Sequence, residues 1–335
     1  MSKLEELINN LCPDGVPFKH LWEITTWDKK FNGSTKSMQP QVRKFKHISA
    51  KELKSLVVAD GDIKLLSTGN FDAYTSVNLA KEYLNDDEII AIPSGGSPIV
   101  KYYYGKFVDS GNILAVSTNK KDYNLKYIYY YMINNLDFLE TCYRGSGIKH
   151  PDMLKVLNFS IPVPPIEVQR EIVRILDNFT ELTAELTAEL TARKKQYEYY
   201  LKKLLTECHG NNVSLGDIGK VSMCKRILKD QTQSQGDIPF YKIGTFGGKA
   251  DAYISNELYQ EMIKKYNFPK KGDILISCSG TIGKTVIYDG KPAYFQDSNI
   301  VWIKNNEKKA LNKYLYYSYK LMPFKISTGG TIARL

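Results

Sequence analysis

The sequence predicts an α+β fold: two similar modules, each a small sheet plus helices, separated by one long coiled-coil-type helix. Three observations predict it. Residues 166–205 contain neither glycine nor proline, the stretches before and after them match in order, and each flank holds short apolar runs that end in Ser-Gly turns. The expected boundaries are 1–160 for the first module, 161–208 for the helix and 209–335 for the second module.

The helix is the plainest element. Pro164-Pro165 stands at its start, where a missing N–H costs little because that donor has no helical partner, and Gly210 follows as a stop signal. Apolar residues recur at Val168, Ile172, Ile175, Phe179, Leu182, Leu186, Leu190, Tyr197, Leu201 and Leu204. The steps are mostly three or four, the spacing of one helix face. About 40 residues rising 1.5 Å each give roughly 60 Å. A single small domain does not cover so long an element, so the apolar seam calls for a partner helix. Within it lies a four-residue repeat, Thr183-Ala184-Glu185-Leu186 then Thr187-Ala188-Glu189-Leu190, flanked by Thr180-Glu181-Leu182 and Thr191-Ala192-Arg193. Each unit adds about 6 Å and turns the helix about 40°. The pattern suits a ruler between two attached modules, and equally a plain alanine–leucine helix.

The flanks come next. Val16-Pro17-Phe18-Lys19-His20-Leu21-Trp22-Glu23-Ile24 opens one and Val213-Ser214-Leu215-Gly216-Asp217-Ile218 the other. Gly61-Asp62-Ile63 then matches Gly236-Asp237-Ile238, and Ile89–Gly95 matches Ile274–Gly280. Asp109–Ile113 parallels Gln296–Ile300, Tyr127–Tyr130 parallels Tyr314–Tyr317, and Arg144–Ile148 parallels Thr328–Ile332. Each match alone is ordinary; their preserved order is what argues for an internal repeat. Ile89–Ile92 and Ile274–Ile276 read as buried strands, and the Tyr127–Phe138 and Tyr314–Leu321 stretches as helices.

Composition narrows the function. Lysine and arginine number 46 against 36 acidic residues, a net charge of +10 that suits a polyanionic partner. Tyrosine is abundant, with 24 residues, and runs such as Tyr102-Tyr103-Tyr104 and Tyr129-Tyr130-Tyr131 lie beside Lys101, Lys106 and Lys126. Those rings suit half-buried strand and helix faces, or a surface for phosphates and bases. Five widely spaced cysteines with no CxxC pair argue against zinc sites and disulfide frameworks. No uncharged stretch is long enough to span a bilayer, and the expected location is the cytoplasm.

The sequence carries no recognisable catalytic motif. Gly280-Thr281-Ile282-Gly283-Lys284-Thr285 has two residues between its glycines, where a phosphate loop needs four. Val163-Pro164-Pro165-Ile166 has neither the polar residue nor the aromatic with which adenine methyltransferases hold a flipped base. His20, His47, His150 and His209 show no metal-ligand spacing, and the carboxylates form no recognisable acid–base pair. No cofactor is expected in this chain.

The stretch Ile161-Pro162-Val163-Pro164-Pro165-Ile166-Glu167-Val168-Gln169, running into Ile172-Val173-Arg174-Ile175-Leu176-Asp177, resembles the junction between target-recognition domain and spacer helix in specificity subunits of type I restriction–modification enzymes. Leu11-Cys12-Pro13-Asp14-Gly15-Val16 is similar to their N-terminal opening, and Thr-Ala-Glu-Leu repeats occur in their spacers. The resemblance covers nearly the whole chain. It implies a non-catalytic subunit whose two recognition domains each read half of a bipartite site on double-stranded DNA. It also implies methyltransferase subunits that bind S-adenosylmethionine, and a restriction and translocase subunit that uses ATP and Mg. The family has a second spacer helix after its second recognition domain. Against that pattern this chain is expected to be truncated at Leu335, which leaves self-association through the first helix, or an inactive truncated cassette product, as competing readings.

A DNA reader needs cations for phosphates and polar side chains for base edges. Arginine and lysine suit guanine; asparagine and glutamine suit adenine. The candidates are Lys101, Arg144, Ser146, Lys149 and His150 in the first module, and Lys242, Lys249, Lys284, Gln296, Asn299 and Arg334 in the second. Most lie in or beside glycine-containing turns, and solvated surface charge is the alternative reading of each.

Overall fold

The computed structural model describes residues 2–207 and 213–321. The chain divides into two compact units, Met1–Leu186 and Thr187–Leu335. Cys208, His209, the helix stop at Gly210, the Thr328–Ile332 match and Arg334 lie outside the described residues. No helix among the described residues is long and apolar enough to cross a membrane.

In chain order the first unit holds strands β1 (Phe18–His20), β2 (Thr25–Trp27), β3 (Ile63–Leu66), β4 (Ala73–Thr75), β5 (Asn85–Pro93), β6 (Lys101–Asp109), β7 (Asn112–Ser117), β8 (Tyr143–Arg144), β9 (His150–Pro151) and β10 (Ser160–Pro162). Six of them form one sheet in the order β2-β7-β5-β6-β3-β4. All pairings are antiparallel except β3 with β6. The run Ile89–Ile92 sits at the sheet's centre. Ile90 and Ile92 enter the larger core beside Leu125, Ile128 and Met132, while Ile89 and Ala91 pack on the other face with Phe107 and Leu114. A strand covered on both faces needs no polar alternation, which is why this segment is apolar throughout.

The helix Leu125–Asn134 lies on the first of those faces. Asn124 caps it, its side chain accepting from the Tyr127 N–H at 3.1 Å, and Leu125, Ile128 and Met132 fall on the buried side by helical spacing. Most of the tyrosines in the two runs pack here, whereas Tyr104 is exposed. Tyr102 and Tyr129 have ring centroids 5.7 Å apart, and the Tyr130 ring lies tilted beside Tyr129 at 5.2 Å.

The second unit contains β11 (Gly219–Met223), β12 (Ile238–Tyr241), β13 (Tyr253–Ile254), β14 (Ile274–Ser277), β15 (Thr285–Ile287), β16 (Tyr294–Phe295) and β17 (Ile300–Asn305). They form two sheets, β11-β17-β14-β15 and β13-β12-β16. Set end to end, these reproduce the first unit's order with β6 divided into β15 and β16. The register agrees: β6 pairs antiparallel with β5 and, at Phe107–Asp109, parallel with β3, whereas β15 pairs with β14 and β16 runs parallel to β12. Gly290, in the left-handed region at φ +87°, and Pro292 lie in the interruption; proline supplies no donor to a ladder. The internal repeat is therefore a repeat of topology.

The long helix is continuous over Ile166–Thr206, 41 residues. The Pro165 carbonyl accepts from the Val168 and Gln169 N–H groups at 3.0 and 3.1 Å and so closes the first turn. The repeat threonines cost the helix little, because their hydroxyls return to the preceding turn: Thr180, Thr183 and Thr191 donate to the carbonyls of Leu176, Phe179 and Thr187 at 2.7–2.9 Å. One expectation needs correction. The apolar series is not a single uncovered seam. Val168 is buried and Ile172 packs against the first unit's own core, together with Val173, because the first turns lie on that unit's sheet-covering helix. From Phe179 onward the series is exposed: Phe179 63%, Leu182 51%, Leu186 58%, Leu190 56%, Tyr197 48% and Leu204 65%, with Ile175 and Leu201 intermediate.

Candidate nucleic-acid interface

Two loops converge at one edge of the first unit. The first, Ser94–Pro98, leaves β5; the second is the 144–150 connection between β8 and β9. Gly96 donates its N–H to the Lys149 carbonyl at 2.8 Å, and the Nδ1 of His150 lies 2.7 Å from the Ser94 carbonyl. Gly95 packs closely there: a Cβ would stand 3.0 Å from His150 Cε1 and 3.1 Å from Ile148 Cγ2, so both side chains would have to give way. Gly145, at φ +141°, turns the second loop back; a Cβ on it would meet the Ile148 carbonyl at 2.8 Å. The structure thus brings Arg144, Ser146, Lys149 and His150 together on one exposed loop. Arg144 is paired with Asp152 at 3.6 Å.

Lys101 is placed differently. Its Nζ donates to the Ser67 and Gly69 carbonyls, both at 2.5 Å, and burial lowers its pKa from the ordinary lysine value. It fixes the 67–69 turn rather than presenting a free cation.

The second unit has the corresponding cluster. The turn 278–284 joins β14 to β15 and is closed by the Gly283 N–H on the Ser277 carbonyl at 2.9 Å. Ser279 Oγ donates to Asn299 Oδ1 at 2.6 Å, and the Cys278 N–H to the Asn299 carbonyl at 2.7 Å. Gln296 Oε1 accepts from the Ile243 N–H at 2.9 Å. Lys284 Nζ donates to the Phe246 carbonyl at 2.5 Å, so it bridges to the 242–249 loop. On that loop Lys242 pairs with Asp251 at 2.8 Å, and Lys249 is exposed. Gln296, Asn299, Lys284, Lys242 and Lys249 therefore belong to one three-loop cluster. Its hydrogen bonds hold the loops to one another and leave Lys249 as its open cation. Among the described residues no group of three or more His, Cys, Asp or Glu side chains could hold a metal ion.

A group the sequence reading left aside adjoins the first cluster. His47 stands between two buried carboxylates, with Nδ1 2.8 Å from Asp109 and Nε2 3.4 Å from Asp28. Hydrogen bonds to Asp109 first and to Asp28 second raise its pKa from 6.5 to about 9, against the opposing effect of burial. Asp109 also accepts from the Asn112 backbone N–H and from its Nδ2, at 3.2 and 2.6 Å. Sequence spacing gave no sign of this arrangement, because the three residues come from separate elements. The helix root is also electrostatically fixed. Arg174 and Lys3 hold the carboxyl of Glu171 at about 2, and Asp177 takes bonds from Lys126 and Tyr130 at 2.8 and 2.5 Å.

Comparison with known proteins gives a consistent outcome. The family model for the type I restriction modification DNA specificity domain matches residues 44–193 and 210–335. The chain is similar to a putative type I restriction enzyme specificity subunit of Haemophilus influenzae, with 46% identity over 329 residues, covering 93% of this chain and 83% of that protein. It is also similar to the EcoR124I/EcoR124II specificity subunit of Escherichia coli, at 46% over 105 residues, 29% of this chain and 25% of that one. In fold it resembles a type I restriction–modification S subunit from M. genitalium, with a TM-score of 0.59 at 15% identity over 96% of this chain and 79% of that one.

Proposed function

Because the chain belongs to the type I restriction–modification DNA specificity family, whose members are the non-catalytic specificity subunits of these systems, we propose that it directs its complex to a two-part site on duplex DNA. Residues 1–160 and 209–335 act as the two readers and 161–208 as the spacer. The observation that carries this reading is the repeated strand order, six strands in one unit and the same order with one strand divided in the other, each copy with a polar loop cluster after its central strand. Exposed Lys149 and Lys249 meet phosphates. In this reading Arg144 and Ser146 in one cluster, and Gln296 and Asn299 in the other, contact base edges, where arginine discriminates guanine and the amides adenine.

The exposed apolar stripe from Phe179 to Leu204 is the surface for methyltransferase subunits. S-adenosylmethionine belongs to those subunits, ATP and Mg to a restriction subunit, and the assembly works in the cytoplasm. The same stripe favours a second reading, in which the helix mediates self-association. Dimerisation without salt-dependent DNA binding would select that reading.

The deciding experiment is co-expression with the methyltransferase subunit, followed by mapping of methylated adenines across the host genome. A two-part motif with a fixed gap is expected. Absence of methylation from an assembled complex would refute the proposal.

A further inference from the structure

Between Asp28 and His47 the chain leaves the sheet as residues 29–46, which carry Lys29, Lys30, Lys36, Arg43, Lys44 and Lys46 and no aspartate or glutamate. The whole chain has 36 acidic residues for its 46 cations, so an acid-free run with six cations stands apart from its background. All six are exposed. Arg43 pairs with Asp87 at 3.1 Å and Lys30 binds the Thr35 and Gln39 carbonyls. No ion pair holds Lys29, Lys36, Lys44 or Lys46 among the described residues.

The segment has a built shape. Gln39 is buried, donating to the Lys29 carbonyl at 3.1 Å and accepting from the Phe31 N–H and the Ser34 hydroxyl at 2.9 and 2.7 Å. At its base the Arg43 N–H reaches the Trp27 carbonyl at 2.9 Å, and Asn85 brackets Lys46 with two bonds of 2.9 Å. His47 closes the excursion between Asp28 and Asp109 and offsets their charge. Lys29 and Lys44 border a cavity of about 360 Å³ shared with Ser94, Gly111 and Asn112, and Ser94 is the residue that holds His150 of the reading loop.

We propose that residues 29–46 form a second DNA-gripping surface of the first module, on which Lys29, Lys36, Lys44 and Lys46 engage backbone phosphates beside the reading loops. The inference rests on the DNA-specificity reading above and adds to it a phosphate surface with no part in base choice. Cations without interspersed carboxylates suit a uniform polyanion. A segment already ordered by Gln39 and His47 loses little further entropy on binding.

The test uses the complex with methyltransferase subunits and two duplexes, one carrying the mapped motif and one scrambled. The K29Q/K36Q/K44Q/K46Q variant is expected to lower the slope of log affinity against log salt by up to about 3.6, from about 0.9 per phosphate contact. Affinity should fall equally on both duplexes, and the methylated motif should stay the same. The fourfold Lys→Arg variant should keep the wild-type slope, which separates lost charge from lost fold. An unchanged slope in the glutamine variant overturns the proposal. So does an equal drop when Lys264, Lys308, Lys309 and Lys313 of the second unit are replaced by glutamine instead. A wild-type complex that binds both duplexes alike, with a slope that still falls in the variant, would sustain the phosphate surface and sink the specificity reading.

Discussion

Deleting Thr187–Leu190 removes one unit of the repeat from the middle of a continuous helix. Four residues take out about 6 Å of rise and 40° of turn beyond a full rotation. If the helix is a ruler lying along the duplex, the two parts of the target must approach to match. One base pair supplies about 3.4 Å of rise and, at 10–10.5 base pairs per turn, roughly 35° of twist. Removing one pair thus matches the rotation and leaves about 2.6 Å of rise unmatched. Removing two matches the rise to within about 1 Å but over-rotates by about 30°. At a lever of about 8.5 Å, the depth of the major groove, that rotation displaces a contact by about 4 Å. The smaller misfit belongs to one base pair. The deletion should therefore shorten the gap by one and leave both half-sites as they were, and duplicating Thr187–Leu190 should lengthen it by one. Mapping methylated adenines in hosts carrying each variant with the methyltransferase subunit reads the gap directly. An unchanged gap, or a change in either half-site, refutes the ruler.

Three further outcomes follow from the geometry. His47 has its pKa raised above the ordinary value, so its contribution is complete below about pH 6.5 and disappears as pH rises through about 9. Its side chain is 36% exposed, and screening keeps the effect near about 1 kcal/mol, or about 2–4 °C in Tm. Thermal melts from pH 6 to 10 should show that loss in the wild type and a flatter profile in His47→Gln; parallel profiles would count against the clasp. Gln169 is buried and its side chain makes three hydrogen bonds, to the Asn124 N–H and to the Asp122 and Pro164 carbonyls, at 2.7–2.9 Å. Gln169→Leu strands these groups at about 1 kcal/mol or more each, so the urea midpoint should fall by an amount equivalent to about 3 kcal/mol, and an unshifted midpoint would show the bonds to be dispensable. Gly95→Val pushes on His150 and Ile148. Competition binding should show about 10- to 100-fold weaker discrimination at the first half-site, the equivalent of one bidentate base contact, with the second half-site unaffected; full discrimination would remove the 144–150 loop from the reading surface.

Legibility in the sequence followed the range of the interactions concerned. The long helix was readable because its spacing, proline start and threonine repeat are local. The modules were readable as ordered matches because most matches are short local segments, such as strand ends, turns and one helical tyrosine run, fixed by neighbours in sequence. The separation of β15 from β16 was not readable: Asp289-Gly290 resembles any turn, and only its partners, β14 on one side and β12 on the other, show that one strand has been divided. The candidate cations illustrate the same limit. Lys101 and Lys284 look like free charges in a sequence, yet each reaches a backbone carbonyl more than 30 residues away.

The basic character of residues 29–46 is hard to read for the opposite reason. Their signal is a missing residue type spread over many positions, visible to a running charge count and invisible to a search for motifs or matched segments. The segment's place in the fold gives that absence a physical cause. Asp28 and Asp109 already put two carboxylates at its base, and a single imidazole between them supplies the opposing charge. Another acid on the excursion would draw Lys29 or Lys44 inward, as Asp87 draws Arg43, and would remove a cation from the surface that adjoins Ser94 and the reading loop. The clasp keeps its acids buried and paired with histidine, so the lysines beyond it stay available to phosphate. Their neutralisation should therefore change how strongly DNA is held and leave unchanged which sequence is chosen.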